Sequence, residues 1–366
     1  MIVKVRKEDL KEAVERAFKG VSARSTLPIL QSFLLEAQDN TLFVKSTNLD
    51  TGIEVKIKAE VEEKGSICIE AKFFSEMVKK APGEDIFIEI DDNLNVNIRS
   101  LFSEFTIKGL SSVEYPSIPK VEEGYKIKVK QELLKKIIEK VGFSAAKESS
   151  RPILTGILFE IKDNSITAVT SDGYRITTIT EETNEQIGEK SFVIPAKDLV
   201  EVAKILKEGD LTITIQEKHV MFSFDNTTII LRLLEGQFIQ YKNFINLESK
   251  EIKIKREKIL TSLERMMLFS DEKANFVVIR INKGELILTS KSIKGKAKEK
   301  LEVETEIDGV RIGLNTKLLY EALKATESEE ITLKYAGEIQ PFYIIDKNYI
   351  NLTLPIRLVG EEEEAA

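Results

Sequence analysis

The chain has 366 residues, 42% hydrophobic and 31% charged, with a net charge of −7 and a single cysteine, Cys68. No apolar run reaches the ~18 residues of a membrane span, no signal peptide is expected before an N-terminus that alternates at once like a strand, and one cysteine excludes an internal disulfide and fits a reducing cytoplasm. The negative balance argues against a generic nucleic-acid binder but not against a protein that gathers its cations on one surface, because the shape of the field matters more than its sum.

Val3-Lys4-Val5-Arg6 alternates at period two and predicts a strand. Leu10, Ala13, Val14 and Ala17 then fall at i, i+3, i+4 and i+7, one apolar face of a helix. Asp39-Asn40 supplies turn chemistry before a strand over residues 41–45. Ile67-Cys68-Ile69 places the cysteine in an apolar core. Phe74, Met77, Val78 and Ala81 predict a second helix, and residues 86–90 and 105–108 predict further strands. At Ile127-Lys128-Val129-Lys130 the pattern starts again. Its first helix carries Leu134, Ile137, Ile138 and Val141, its turn Asp163-Asn164, its second helix Leu199, Val202, Ala203 and Leu206, and a strand covers 211–215. At Ile252-Lys253-Ile254-Lys255 it starts a third time, with Ile259, Ser262, Leu263 and Met266, then Leu319, Ala322, Leu323 and Thr326, and a strand at 331–335.

A repeat of about 124 residues is too long for a solenoid unit of roughly 20–50 and fits a whole domain. The expected architecture is α+β: three similar domains over 1–119, 120–245 and 246–366, each with two helices packed on antiparallel sheets. The last ends in the acidic tail Glu361-Glu362-Glu363-Glu364-Ala365-Ala366, read as disordered.

Aligned copies place cations at matched positions. The second helices carry Lys72, Lys197 and Lys317, then Lys79, Lys204 and Lys324; seven residues is two turns, so each pair shares a face. The first helices carry Arg16, Lys140 and Arg265. Such a set fits an ordinary solvated face, with Glu15, Glu139 and Glu264 recurring beside it, or a surface that meets phosphate. With no aromatic platform and no Asn/Gln/Arg cluster to read a groove, phosphate contact would be sequence-independent.

Nothing points to a reaction centre. His219, the only histidine, lies in Glu217-Lys218-His219 and reads as a turn residue. One His and one Cys leave no usual zinc set and no nucleophile pair, no Walker or dinucleotide loop occurs, and no cofactor or metal is implied.

Ser25-Thr26-Leu27-Pro28-Ile29-Leu30, Arg151-Pro152-Ile153-Leu154-Thr155-Gly156, Ser171-Asp172-Gly173-Tyr174-Arg175-Ile176 and Leu354-Pro355-Ile356-Arg357-Leu358 occur in order along the chain. Together they resemble the bacterial DNA polymerase III beta subunit, the replicative sliding clamp. The resemblance implies a non-catalytic, cytoplasmic processivity factor, a head-to-tail homodimeric ring of six domains that encircles double-stranded DNA. The recurrent cations would face phosphate, joined by Arg24, Lys147 and Arg151. It also implies a pocket for short linear motifs of the replicative polymerase, the clamp loader and repair proteins. Matched by motif, that pocket takes Leu154 and Thr155, then Ser171, Gly173, Tyr174, Arg175 and Ile176, then Leu352, Leu354, Pro355, Ile356 and Arg357. Its far wall departs from the family pattern at Ile239, where proline is common, and at Asn243 and Phe244. The dimer seam would use Phe105 and Ile107 against Leu268 and Phe269 of a second copy; an alternating Phe-Thr-Ile strand also allows Phe105 to be core. A repeat-built scaffold without nucleic acid is the other reading of the same residues, favoured if the chain were a monomer that passes over circular DNA without retention.

Overall fold

The structure, a computed structural model, describes residues 1–22, 25–119, 121, 123–183, 188–245, 248–270 and 275–358. The first copy contains β1 (Ile2–Arg6), α1 (Lys7–Ala17), β2 (Ser32–Gln38), β3 (Thr41–Thr47), β4 (Thr51–Lys58), β5 (Glu60–Glu63), β6 (Gly65–Glu70), α2 (Ala71–Lys80), β7 (Asp85–Ile90), β8 (Asn95–Ser100) and β9 (Ser103–Lys108). The second contains β10 (Tyr125–Lys130), α3 (Gln131–Val141), β11 (Gly156–Lys162), β12 (Ser165–Ser171), β13 (Arg175–Glu182), β14 (Lys190–Pro195), α4 (Ala196–Ala203), β15 (Asp210–Ile215), β16 (His219–Phe224) and β17 (Thr227–Arg232). A short helix, α5 (Lys242–Ile245), leads to the third: β18 (Lys250–Lys255), α6 (Arg256–Met267), β19 (Phe276–Asn282), β20 (Glu285–Ser292), β21 (Gly295–Glu302), β22 (Val310–Asn315), α7 (Thr316–Lys324), β23 (Glu330–Tyr335), β24 (Phe342–Asp346) and β25 (Tyr349–Thr353).

Local chemistry accounts for the elements. Leu10, Ala13, Val14 and Ala17 of α1 are all buried, Glu8 and Asp9 sit in its first turn and Arg16 in its last, each on the side the helix dipole favours. Glu70 caps α2: its carboxylate oxygens accept the N–H of Lys72 at 3.1 Å and of Phe73 at 2.8 Å. Asn315 caps α7 through the Leu318 N–H at 3.0 Å. Asp39 and Asn40 both take positive φ (48° and 56°), the geometry of a tight hairpin turn between β2 and β3. The buried apolar positions run on past two helices: Leu206 lies beyond the end of α4 and Thr326 beyond the end of α7. His219 is the first residue of β16, paired with Arg232 of β17, rather than a turn residue, because the turn before it is made by Glu217-Lys218.

The chain forms two compact units that do not coincide with the three copies. The first comprises Met1–Leu134 and Glu201–Leu233. It holds a five-stranded sheet, β5-β1-β7-β8-β9, and an eight-stranded sheet, β10-β15-β16-β17-β4-β3-β2-β6. The second comprises Lys135–Val200 and the described residues from Leu234 onward. It holds an eight-stranded sheet, β14-β11-β12-β13-β25-β24-β23-β18, and a four-stranded sheet, β21-β20-β19-β22. Every ladder is antiparallel. Each eight-stranded sheet is shared by two copies: β4 of the first pairs with β17 of the second, and β13 of the second pairs with β25 of the third. Within the second unit the third copy has its own core around Ile259, Leu263, Leu288, Leu319 and Leu333.

Candidate DNA-facing and partner-binding surfaces

The cations expected at matched positions divide into two classes. Lys72, Lys79, Lys197, Lys317 and Lys324 are exposed, and none forms an ion pair with another described residue. Lys204 is exposed too, but its ammonium bonds to Glu201, and it lies one residue past the end of α4 rather than within it. These side chains begin at buried helical turns (Phe74 and Val78 in α2, Leu319, Ala322 and Leu323 in α7), so their stems leave from the solvent face.

The first-helix cations are engaged instead. Arg16 is 8% exposed. Its Nη1 donates to Asn226 Oδ1 at 3.1 Å and Thr227 Oγ1 at 2.7 Å, its Nη2 to Glu12 Oε1 at 2.9 Å, and the guanidinium lies 5.8 Å from the Phe224 ring centroid. Lys140 is largely buried, 2.7 Å from Glu327 Oε1 and bonded to the Ala325 carbonyl. Arg265 is half-exposed but grips Glu299 with two nitrogens, at 2.6 and 2.7 Å, while the Ser262 hydroxyl donates to the same carboxylate at 2.7 Å. Hydrogen bonds hold all three carboxyls below the usual carboxylate range: Lys207 first at Glu12, Arg265 at Glu299 and Lys140 at Glu327. The expectation of a solvent-facing phosphate contact is therefore corrected for Arg16 and Lys140, whose charges are committed to protein oxygens in a place with little access to solvent. Lys147 and Arg151 are exposed. Arg24 lies outside the described residues, as do the four tail glutamates.

The residues expected to form a peptide pocket fall into three groups, all within the second unit. Leu154, Ile176 and Leu352 are buried in one apolar cluster with Val169, Phe238 and Tyr343, and Ile239 packs against it. Tyr174, 69% exposed, and the partly exposed Leu354 stand at its edge, joined by the Leu354 N–H to the Tyr174 carbonyl at 2.8 Å; Asn243, Phe244 and Arg357 are exposed as well. The third group builds rather than binds. Ser171 donates its hydroxyl to the Arg175 carbonyl at 2.8 Å, and Thr155 to the Pro152 carbonyl at 2.7 Å. Gly173 takes φ of 90° in the turn between β12 and β13. Arg175 is buried: its Nε bonds Asp172 at 2.9 Å, Nη1 bonds Glu321 at 2.8 Å, Nη2 bonds the Phe143 carbonyl at 3.1 Å, and the group lies 5.1 Å from the Phe143 ring centroid. The guanidinium of Arg175 is thus committed to protein oxygens. Pro355 leads to Ile356, whose N–H donates to the Gly313 carbonyl of β22 at 2.8 Å. Sequence reasoning missed Phe238, Tyr241 and Tyr343; the apolar residues of Phe238-Ile239-Gln240-Tyr241 were the available signal.

Among the strands that end the four sheets are β9, at one end of the five-stranded sheet, and β21, at one end of the four-stranded sheet. Phe105 lies on β9 and is 40% exposed; Ile107 is partly exposed on the same face. Leu268 is 66% exposed after α6, and Phe269 is partly buried beside Gly295. Among the described residues no group of three His, Cys, Asp or Glu side chains could hold a metal ion, and no helix is long and apolar enough to cross a membrane.

Comparison with known proteins matches the whole length. The N-terminal, central and C-terminal domain families of the DNA polymerase III beta subunit match residues 1–119, 128–240 and 246–356. The beta sliding clamp of Halalkalibacterium halodurans is 32% identical, with 94% of this chain and 96% of that protein covered. The beta sliding clamp of Bacillus subtilis is also 32% identical, covering 96% and 98%. Crystal structures of a DNA polymerase III beta subunit from Eubacterium rectale and of the Bacillus subtilis sliding clamp each superpose with a TM-score of 0.94 at 30% identity, over 98% of this chain and 100% of those chains. With three clamp domains in order, helices on antiparallel sheets and full-length likeness to these relatives, the chain belongs to the bacterial DNA polymerase III beta subunit family, the beta sliding clamps.

Proposed function

We propose that this protein is a sliding clamp and processivity factor: a head-to-tail homodimeric ring that encircles duplex DNA and tethers the replicative polymerase. It does no chemistry of its own and works in the cytoplasm, where the chromosome is. It acts by raising the effective concentration of its partners at the primer end. Retention is topological, so contacts to DNA need only be weak, and tight ones would hinder movement along the duplex.

The observation that carries this reading is the set of exposed second-helix lysines at matched positions in three copies, five of them with no ion pair among the described residues, on a chain of net charge −7. Their ammonium groups suit phosphate, which positions a protein without reading sequence. Arg265, Lys147 and Arg151 extend the same set. The apolar cluster of Leu154, Ile176, Leu352 and Ile239, edged by the exposed Tyr174 and Leu354, suits the apolar anchors of short linear motifs from polymerase, clamp loader and repair proteins. Membership of the clamp family disfavours a scaffold without nucleic acid.

The test is retention on DNA after loading. Nicked circular DNA should hold the protein through gel filtration, and linearising the same DNA should release it. Equal retention on both forms, or none on the circle, would overturn the reading.

A further inference from the structure

The chain joins one copy to the next by the same strand pairing twice, and the outer sheet face at each junction can be matched residue by residue. At the first junction Leu34, Lys45, Glu54 and Thr228 stand opposite one another across β2, β3, β4 and β17. At the second, Leu158, Val169, Thr178 and Ile350 hold the same row across β11, β12, β13 and β25. Two residues further along, Ile230 faces Met221 where Leu352 faces Tyr343. Leu158, Val169, Tyr343 and Leu352 all belong to the apolar cluster read above as a motif pocket. Leu34, Lys45, Met221 and Ile230 occupy their places at the first junction.

The connector that follows β9 lies over this face and encloses with it a cavity of about 450 Å³, walled on the connector side by Pro116, Ile118 and Pro119. That volume lies within the roughly 300–1,000 Å³ of small ligand sites. The wall is held in place. Before the span, the Tyr115 hydroxyl donates to the Ser32 carbonyl at 3.4 Å; after it, Val121 is buried. Pro116 and Pro119 each fix one φ in between. Gly52 stands where the second junction has Ile176, and a Cβ there would come within 2.5 Å of Ile118 Cγ2, so the glycine is what lets the connector lie down on the sheet. An occupant therefore meets a wall that is already formed.

We propose that this cavity is a second site for short linear motifs, taking an extended segment of a partner protein that has an apolar anchor and no charge beside it. The inference rests on the second-junction cluster being a motif pocket, and it differs from that pocket in what it selects. The floor decides the selection. Where the second junction has Val169 and Thr178, the first has Lys45 and Glu54. Lys45 Nζ lies 2.7 Å from Glu36 Oε2 and 3.2 Å from Glu54 Oε2, and Lys56 reaches the other Glu54 oxygen at 3.4 Å. Burial would lower the Lys45 pKa, but the two carboxylates outweigh it and hold the ammonium above its ordinary value. Two ammonium groups and two carboxylates balance, so an entering charge of either sign meets its like. A peptide amide offers both a donor and an acceptor, and finds a carboxylate oxygen and an ammonium proton to meet them. Leu34, Met221 and Ile118 leave the rest of the space to apolar side chains. One chain then holds two different motifs at once.

Full-length protein labelled at methionine and isoleucine methyl groups separates the two sites by NMR: Met221, Ile118 and Ile230 report the first junction, Ile176 and Ile239 the second. Titration with the capped peptide acetyl-Ser-Leu-Leu-Ser-amide should shift the first set together and to saturation, roughly tenfold more tightly than the same peptide with Glu or Lys in place of both Ser residues. Lys45→Met removes one ammonium from the balance and should turn the first site toward the Lys-flanked peptide, with the response of Ile176 and Ile239 unchanged. Shifts confined to Ile176 and Ile239 at millimolar peptide would overturn the first site and leave the second pocket standing. Silence in both sets would overturn both. Equal affinity for charged and uncharged peptides at the first set would overturn the assigned ligand class. The parent protein alone decides these three outcomes, so the test survives a Lys45 variant that fails to fold.

Discussion

Arg16, Lys140 and Arg265 share one position in the repeat and end in three environments. Sequence alignment places the charge; it cannot say what the charge meets, because Asn226 is 210 residues from Arg16 and Glu327 is remote from Lys140 as well. Buried polar groups are costly unless bonded, so their neighbours decide their role. Asp346 makes the same point for an acid that no motif singled out. Burial would push its carboxyl up, but the N–H groups of Glu327 and Ser328 and the Ser328 hydroxyl donate to it and hold it below the usual range. A carboxyl lowered in the native state adds stability in full above its unfolded value of about 4, and that stability is lost as pH falls through the lower native value. Asp346→Asn should therefore cost about 1–3 kcal/mol at neutral pH. The gap between variant and parent should narrow as pH falls below that unfolded value, read from urea midpoints across the acid range; a gap independent of pH would refute the assignment.

Helices and strands were legible because their signals are local. The 3.6 and 2 periods located α1, α2, α6, α7 and the strands beginning each copy, and the copies corrected one another. What the periods do not encode is which edge meets which: the pairing of β4 with β17 joins residues about 175 apart, and an alternating strand reads the same at an edge or mid-sheet. The exposed lysines were legible as a set for a related reason, since a charged residue at a fixed place on an amphipathic helix points outward unless a distant element reaches it. These two classes of cation should separate experimentally. Removing Lys72, Lys79, Lys197, Lys204, Lys317 and Lys324 together should flatten the salt dependence of DNA binding, by up to ~0.9 in log–log slope for each phosphate no longer neutralised, with little change in melting temperature. Arg16→Ala should do the reverse, lowering stability by about 2–4 kcal/mol with the salt slope unchanged. An Arg16 variant that melts normally but loses salt dependence would return that residue to the phosphate-facing set.

At the scale of the whole molecule, copies and compact units are cut differently. The second copy contributes four strands to a sheet of each unit: β10, β15, β16 and β17 to the first, β11 to β14 to the second. Repeat boundaries read from sequence are therefore boundaries of ancestry and pattern, and the sheets run across them. Of the six equivalent strands, β4 is joined to β17 and β13 to β25, while β9 and β21 each end a sheet, and the tail glutamates Glu361 to Glu364 lie beyond the described residues.

Sharing a sheet also separates covalent from structural continuity. Five paired positions between β4 and β17, with Arg16 gripping the β16–β17 turn, bridge the first and second copies without using the peptide that connects them. If a protease site introduced at Glu123-Gly124 were cleaved, denaturing electrophoresis should show two fragments while native mass stays whole. Severing the connector would then be a silent injury, one that leaves the molecule in a single piece.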